Sequence, residues 1–558
     1  MLKKELIMET IKTGNSVYVL LFVILTTCSC TKKYTEYNTD PTRATLEQQD
    51  ADNYISGRNF PAMINAVIPA GDPPGGGGNE FANSYQLAFN LAADCYAGHM
   101  AQANSWNGNT NNLTYGFNLG WVNEQFNLTG RLMAGWRNIK EITDVSGDSL
   151  QLAVAQVIKV IGIIRATDSY GPIPYSGILT ESSAPIYDSQ ESIYLSAFAD
   201  LAAARDRLYA DGVAAGTPLQ LYDLIYAGDY VKWARLANSL ILRYAMRIVY
   251  VEPSLARQWA EAAVSHPAGL ITVPADNALQ DQKAGNGNFN FYNPLVTLMG
   301  YNETRANASM VSVLQGYNDP RISSYYRLSS VPRYTDRYVG IRSGINVTQT
   351  LYMTFSPLAV TTTTPMPWML ASEVNFLRAE GALRGWNMGG EARSFYENGV
   401  RSAFTESGVT IPAGYLTDDT AVPASYVDPV TAANGGSMDY ATTQATTGVS
   451  RWTIRWDDAA NFETSLHRIM MQKWIALYLN GPEGWAEYRR TGYPRILPVT
   501  LNRSGGTVPS TFQVRRLPYP AAQYNQNSGQ MGRALALLGG ADNGATRLWW
   551  DKKTNIPQ

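Results

Sequence analysis

Between residues 233 and 248 apolar side chains recur without a break at the spacing of one helical face. Trp233, Leu236, Ala237, Leu240, Ile241, Tyr244, Ala245 and Ile248 stand at i, i+3, i+4, i+7, i+8, i+11, i+12 and i+15. A strand alternates every second residue, so this pattern buries one surface only as an α-helix lying on a core. The stretch from Leu152 to Ile164 is apolar almost all round and reads as a buried helix. Leu466, Ile469, Met470, Trp474, Leu477 and Tyr478 trace another face, which Asn480-Gly481-Pro482 is expected to stop. Leu370, Val374, Leu377 and Gly381 line one helix, Trp386-Asn-Met-Gly-Gly390 breaks it, and Ala392, Phe395, Tyr396, Gly399, Val400, Ala403 and Phe404 line a second. That unit has the length of one tetratricopeptide-type hairpin, about 34 residues. Ala379, Gly381 and Ala382 are small, which lets a partner helix approach closely.

Long segments rich in Gly, Asn, Pro and Thr separate these helices, at residues 72–79, 104–118, 286–307, 361–364 and 412–447. Loops of such length carry function or stay unstructured. No composition shift divides the chain of 558 residues, so one intertwined helical domain with irregular insertions is expected. Lys plus Arg number 44 and Asp plus Glu 46, a formal charge of −2, which leaves no basic excess for nucleic acid. Charged residues are 16% and aromatics 11%, so the surface must owe its polarity to amides, hydroxyls and Tyr.

The N-terminus reads as an address. Lys3, Lys4 and Lys12 precede the apolar run Val17-Tyr-Val-Leu-Leu-Phe-Val-Ile-Leu25, which is short for a membrane span and right for a signal peptide. Thr26-Thr-Cys-Ser-Cys30 then resembles a bacterial lipobox, with Cys30 the lipidated residue. Residues 1–29 are therefore expected to be a lipoprotein signal peptide and residues 30–558 a single composite domain held at the membrane by lipid. No later segment is expected to reach transmembrane length. Cys28, Cys30 and Cys95 build neither a disulfide framework nor a CxxC metal pair.

Nine stretches in order resemble the SusD/RagB family of outer-membrane nutrient-binding lipoproteins of Bacteroidetes-type bacteria. They are Cys30-Thr-Lys-Lys-Tyr-Thr-Glu-Tyr-Asn-Thr-Asp-Pro41, Thr167-Asp-Ser-Tyr-Gly-Pro-Ile-Pro-Tyr-Ser176, Tyr187-Asp-Ser-Gln-Glu-Ser-Ile-Tyr194 and Gly228-Asp-Tyr-Val-Lys-Trp-Ala-Arg-Leu-Ala-Asn-Ser-Leu240, followed by Asn318-Asp-Pro-Arg321, Ser372-Glu-Val-Asn-Phe-Leu-Arg-Ala-Glu380, Glu483-Gly-Trp-Ala-Glu-Tyr-Arg-Arg-Thr-Gly492, Arg516-Leu-Pro-Tyr-Pro520 and Leu548-Trp-Trp-Asp551. The resemblance implies a mainly α, SusD-like fold, with tetratricopeptide-type hairpins and a loop-rich half holding few short strands. It also implies an outer-membrane, lipid-anchored, surface-exposed protein that hands a nutrient, most simply an oligosaccharide, to a SusC-type TonB-dependent transporter. One departure is Lys32-Lys33 just after Cys30-Thr31, where surface lipoproteins of this group often carry acids. The shared stretches look like scaffold. Asp168 and Asp188 are expected to cap helix ends, and Lys232, Arg235, Arg243 and Arg247 to pair with Glu373 and Glu380.

A sugar ring needs an aromatic plane for its C–H face and polar partners for its hydroxyls. The loop Ser105-Trp-Asn-Gly-Asn-Thr-Asn-Asn-Leu-Thr-Tyr-Gly-Phe-Asn-Leu-Gly-Trp121 interleaves both. Its candidates are Trp106, Tyr115, Phe117 and Trp121 with Asn107, Asn109, Asn111 and Asn112. Phe289-Asn-Phe-Tyr-Asn293 comes second, with Phe289 and Tyr292. The competing reading is that these rings pack the loops onto the helices.

Catalytic motifs are missing. His99, His266 and His467 form no HExxH, and neither a GxSxG elbow nor a P-loop occurs. Asp94, Cys95 and His99 could make a dyad with a thiol nearby, but they lie on an expected helix, where a structural histidine is commoner. The expectation is a non-enzyme without metal or cofactor. A peptide-binding surface lipoprotein is the alternative, and a glycoside hydrolase, which needs only two carboxylates, a lesser one.

Overall fold

Gly147 and Asp148 show how the helical half is built. Gly147 takes φ 76°, which closes helix α2 (Asn123–Ser146), and the Asp148 carboxylate accepts from the N–H groups of Leu150 and Gln151, which opens α3 (Ser149–Tyr170). Two long helices are thus folded back on each other across two residues. The computed structural model describes residues 53–71, 80–179, 184–281, 291–332, 334–348, 350–430, 437–438 and 452–553. Ser56–Gln558 is one compact unit; the other is Met1–Ile55, and the segment expected to be a signal peptide, with Cys28 and Cys30, lies outside the described residues.

Helix α1 (Phe60–Val67) packs on α2, α2 on α3, α3 on α4 (Gln190–Asp211), α4 on α5 (Tyr230–Arg247) and α5 on α6 (Pro253–Ser265). The tetratricopeptide-type hairpin is α7 (Ala371–Leu383) with α8 (Ala392–Glu406); it joins the array through α5, and α9 (Phe462–Ala476) covers it. Its close approach is made at Gly399, where an added Cβ would sit 2.7 Å from the Phe376 ring, while Gly381 faces Met388 of the connecting turn. Asn480-Gly481-Pro482 does not merely stop α9, which ends at Ala476; it starts α10 (Gly481–Thr491), with Pro482 where its missing N–H costs nothing. An added Cβ on Gly481 would lie 2.5 Å from Asp94 Cα, so only glycine seats α10 against the π-helix Gln86–Asp94. Helix α3 is long and apolar enough to cross a membrane, contrary to expectation, but most of it is buried within the protein.

A seam of buried ion pairs ties five helices together. Arg243 forks onto Glu373 through two 2.6 Å bonds, as expected. Arg247 instead reaches Asp168 of α3 and Glu483 of α10, each at 2.6 Å. Glu380 is taken by Arg490 of α10 and by Arg384, and Glu487 by Arg490 and Lys473. Arg235 pairs with Asp276 at 2.6 Å and Lys232 donates to the Ala275 carbonyl, so neither reaches the seam. Asp188 caps a turn by accepting from the Tyr175 and Ser176 N–H groups. Asp168 is no cap: within the last turn of α3 it accepts from Tyr194, Trp550 and Arg247.

The loop-rich part adds short strands. β1 (Met100–Gln102) pairs antiparallel with β3 (Thr304–Ala306), and β2 (Ala278–Gln280) with β4 (Met366–Met369). A second small core of Ala101, Ala103, Val331, Ile341, Ile345, Val347, Tyr352 and Phe355 fixes the irregular segment to β1.

Candidate functional site

The β1–β3 pair decides where the aromatic loop begins. Its register sets Met100 against Ala306, Ala101 against Arg305 and Gln102 against Thr304, and the Ala103 N–H donates to the Glu303 carbonyl at 2.7 Å. Leaving this ladder, the chain places the partly buried Trp106 beside Glu303, close enough for the indole to act on the Glu303 carboxyl. Burial lifts the Glu303 carboxyl above its ordinary range, and the neighbouring Trp106 side chain counters part of that rise. Gln86, first residue of the π-helix, donates its side-chain amide to the same carboxylate.

Trp121, just ahead of α2, closes the corner. Its ring meets Trp106 edge to face, with centroids 5.7 Å apart and planes at 88°, and both rings stay partly exposed. A right-angled indole pair of this kind offers one flat face and one edge to a ligand. The neighbouring surface carries Tyr301, 36% exposed, whose hydroxyl donates to Asn83, and Glu124, which accepts from the Ser84 hydroxyl at 2.8 Å.

The asparagines serve the loop and not its outer face. Asn107, Gly108 and Asn109 take φ of 50°, 60° and 63°, a left-handed run that costs about 1 kcal/mol for each non-glycine residue. Asn109 anchors it: its amide nitrogen donates to Asn346 Oδ1 at 2.9 Å and the Val347 carbonyl at 3.1 Å, and its oxygen accepts from Gln102 and the Val347 N–H. Asn111 donates to the Trp106 carbonyl at 3.2 Å and caps the following turn. Asn112 is likewise buried and accepts from the Asn118 N–H, whereas Asn107 is exposed. Asn109 and Asn111 thus hold Trp106 in place and are too buried to touch a ligand.

Of the four rings in this loop, the structure brings together only Trp106 and Trp121. Tyr115 is in the core, 3% exposed, and burial pushes its phenol up. Phe117 packs inward, against Gly544. In the second loop Tyr292 is half-buried, Asn293 is fully buried and caps the helix Pro294–Gly300, and Phe289 lies outside the described residues. Glu303, Gln86 and Tyr301 were missed from sequence. Gly300-Tyr301-Asn302-Glu303 falls in a segment already marked as a long loop, but only the pairing of strands some 200 residues apart brings it to Trp106.

The weighed catalytic group dissolves. Asp94 accepts from Tyr85 at 3.0 Å, and burial raises its carboxyl to about 6. Cys95 donates to the Asn90 carbonyl at 3.2 Å. His99, beyond the helix, contacts the Trp474 carbonyl at 3.2 Å and is lowered to about 4 by burial, so it is neutral at pH 7. His467 lies against Trp452 and Tyr493 with ring centroids 3.8 and 4.4 Å away, and burial keeps it neutral. Among the described residues no cluster of three His, Cys, Asp or Glu could hold a metal.

Comparison with known proteins places this geometry. No curated protein matches the chain. The solved structures do: a chitin-binding SusD homolog from Flavobacterium johnsoniae is 36% identical, covers 90% of this chain and all of its own, and superposes with a TM-score of 0.82. A SusD homolog from Bacteroides uniformis is 35% identical with a TM-score of 0.80, and one from Bacteroides thetaiotaomicron 33% identical with a TM-score of 0.78; each covers 90% of this chain and 100% of its own. The profile of the SusD-like family, the SusD and RagB outer membrane lipoproteins, matches residues 36–551, and the chain therefore belongs to that family.

Proposed function

We propose that this protein is an outer-membrane lipoprotein, anchored through Cys30 and exposed at the cell surface. In this reading it captures a neutral oligosaccharide and passes it to a SusC-type TonB-dependent transporter. The observation that carries it is the Trp106–Trp121 corner with Glu303 beside it. Indole faces hold the C–H side of a pyranose, and a carboxylate accepts from paired hydroxyls. The Flavobacterium johnsoniae relative, described as chitin-binding, supports a β-linked amino sugar as the first ligand to try.

The protein binds and releases its cargo unchanged. Glu373, Glu380, Glu483 and Glu487 face guanidinium or ammonium groups inside the fold, where they act as charged struts and not as proton donors to a substrate.

The experiment is a glycan panel run beside a peptide panel on the mature chain, with a reducing-sugar assay on every hit. Binding of a neutral glycan without release of reducing ends is expected. Binding of peptides alone moves the cargo to the other class, and turnover above a heat-killed control contradicts a pure binder.

A further inference from the structure

The first turns of α2 carry a polar stripe away from the Trp pair. Glu124, Asn127 and Arg131 lie at i, i+3 and i+7, on one side of the helix. The stripe begins at Trp121, whose carbonyl accepts from the Glu124 N–H at 3.5 Å. It ends in an open cleft of about 580 Å³ between α2, the strand Ile173–Pro174 and the helix Ala521–Gln526. Ten residues at 1.5 Å each separate Trp121 from Arg131, about 15 Å.

The chemistry of this cleft is that of a neutral, hydroxyl-rich guest. Its neutral polar wall is made of the carboxamides Asn127, Gln523, Gln526 and Asn527, with Thr129, whose hydroxyl donates to the Gln125 carbonyl at 3.0 Å. A carboxamide carries both N–H donors and acceptor positions, the mixture that a row of hydroxyls requires, although part of this capacity is already used, as where Gln523 Oε1 accepts from the Tyr187 hydroxyl at 2.9 Å. Arg131, the one charged wall residue, is closed by its ion pair with Glu124, to which Asn127 also donates at 3.3 Å. No net charge is left to select an anion. Asn527 is 4% exposed; its amide nitrogen donates to the Pro185 carbonyl at 3.0 Å, and its Oδ1 has no donor among the described residues. An acceptor left so costs about 1–3 kcal/mol until a donor arrives. Phe126 and Pro174 supply apolar faces beside the amides.

We propose that this cleft is a second glycan subsite, so that the ligand is an oligomer lying along α2 from the Trp106–Trp121 corner to the Gln523–Asn527 wall. This rests on the glycan reading above and deepens it: a mono- or disaccharide fills only the corner, whereas a longer chain engages both ends. Joining two sites through one ligand raises affinity without changing either contact, as in any bivalent system.

The test is calorimetry on the mature protein with linear N-acetylglucosamine, cello- and xylo-oligomers from dimer to hexamer. Wild type is expected to bind the hexamer of its preferred series at least tenfold more tightly than the dimer. Asn127→Ala with Gln526→Ala should remove that gain and leave the dimer untouched. Gly130→Phe is the second variant: Gly130 lies on the cleft wall within α2, an added Cβ there meets nothing within 4 Å, and a ring would fill the cleft without disturbing the helix. It should flatten the length series in the same way. Equal affinity for dimer and hexamer in wild type, or equal loss for both in the cleft variants, overturns the subsite. Failure of wild type to bind any member of the three series overturns the neutral-glycan reading itself, a distinguishable result.

Discussion

Arg490→Met is the sharpest test of what holds the scaffold. Arg490 is fully buried and makes four charge-assisted bonds: to Glu380 at 2.7 and 2.6 Å, and to Glu487 at 2.9 and 2.7 Å. Methionine fills much of the volume but leaves two carboxylates facing an apolar chain. Removing one member of a buried pair costs about 3–5 kcal/mol. The lower end is expected, because Glu380 keeps Arg384 at 2.7 Å and Glu487 keeps Lys473 at 2.9 Å. With an unfolding entropy of about 2.1 cal/mol/K per residue, a compact unit of roughly 500 residues gives about 1 kcal/mol/K, so Tm should fall by about 3 °C. The acid limb adds a second readout. Burial pushes Glu380 and Glu487 up, but Arg490, with Arg384 and Lys473, outweighs it and holds both below their usual range. A depressed folded value contributes stability above the ordinary carboxylate range that is lost as pH falls through it. The gap between wild type and variant should therefore be full at pH 7 and close towards pH 3, by urea denaturation at each pH. A Tm within 1 °C of wild type at pH 7, or a gap that widens in acid, refutes the view that the seam carries this load.

Gly481→Ala forces a Cβ to within 2.5 Å of Asp94 Cα, so α10 must shift; a loss of about 1–3 kcal/mol by thermal unfolding is expected. Asp94 works opposite to the seam. Burial raises it from 3.8 to about 6, so its contribution is complete below about pH 4 and disappears as pH rises through 6, about 3 kcal/mol in all. Asp94→Asn should remove that slope from the wild-type-minus-variant difference in urea midpoints. Asn109→Ala frees the left-handed run under Trp106; glycan affinity should drop several-fold while far-UV circular dichroism and Tm stay close to wild type.

Helices of strong period were legible in the sequence, and for a physical reason. The face from Trp233 to Ile248 became α5, whose C-cap is Ile248, and the apolar stretch 152–164 became the heart of α3. Pairings between distant elements were not legible. Arg243 to Glu373 could be guessed from charge, but Arg247 chose Asp168 and Glu483, and nothing in spacing ranks four carboxylates for one guanidinium. The site split the same way. An Asn-rich loop with aromatics announced a constrained surface. Which side chains face outward was set by contacts from residues 303, 346 and 347. Asn109 and Asn111 went inward because a run at positive φ needs side-chain anchors, a demand that composition does not reveal.

The measurement nearest to the heart of the account is glycan titration of the mature protein beside Trp106→Ala and Trp121→Ala, with circular dichroism as the control for folding. Each ring is partly exposed and on the rim of the fold, so both variants should keep the native spectrum and bind the preferred oligosaccharide at least tenfold more weakly, about 1.4 kcal/mol. Undiminished affinity in both natively folded variants would place the cargo elsewhere on the molecule and contradict the account.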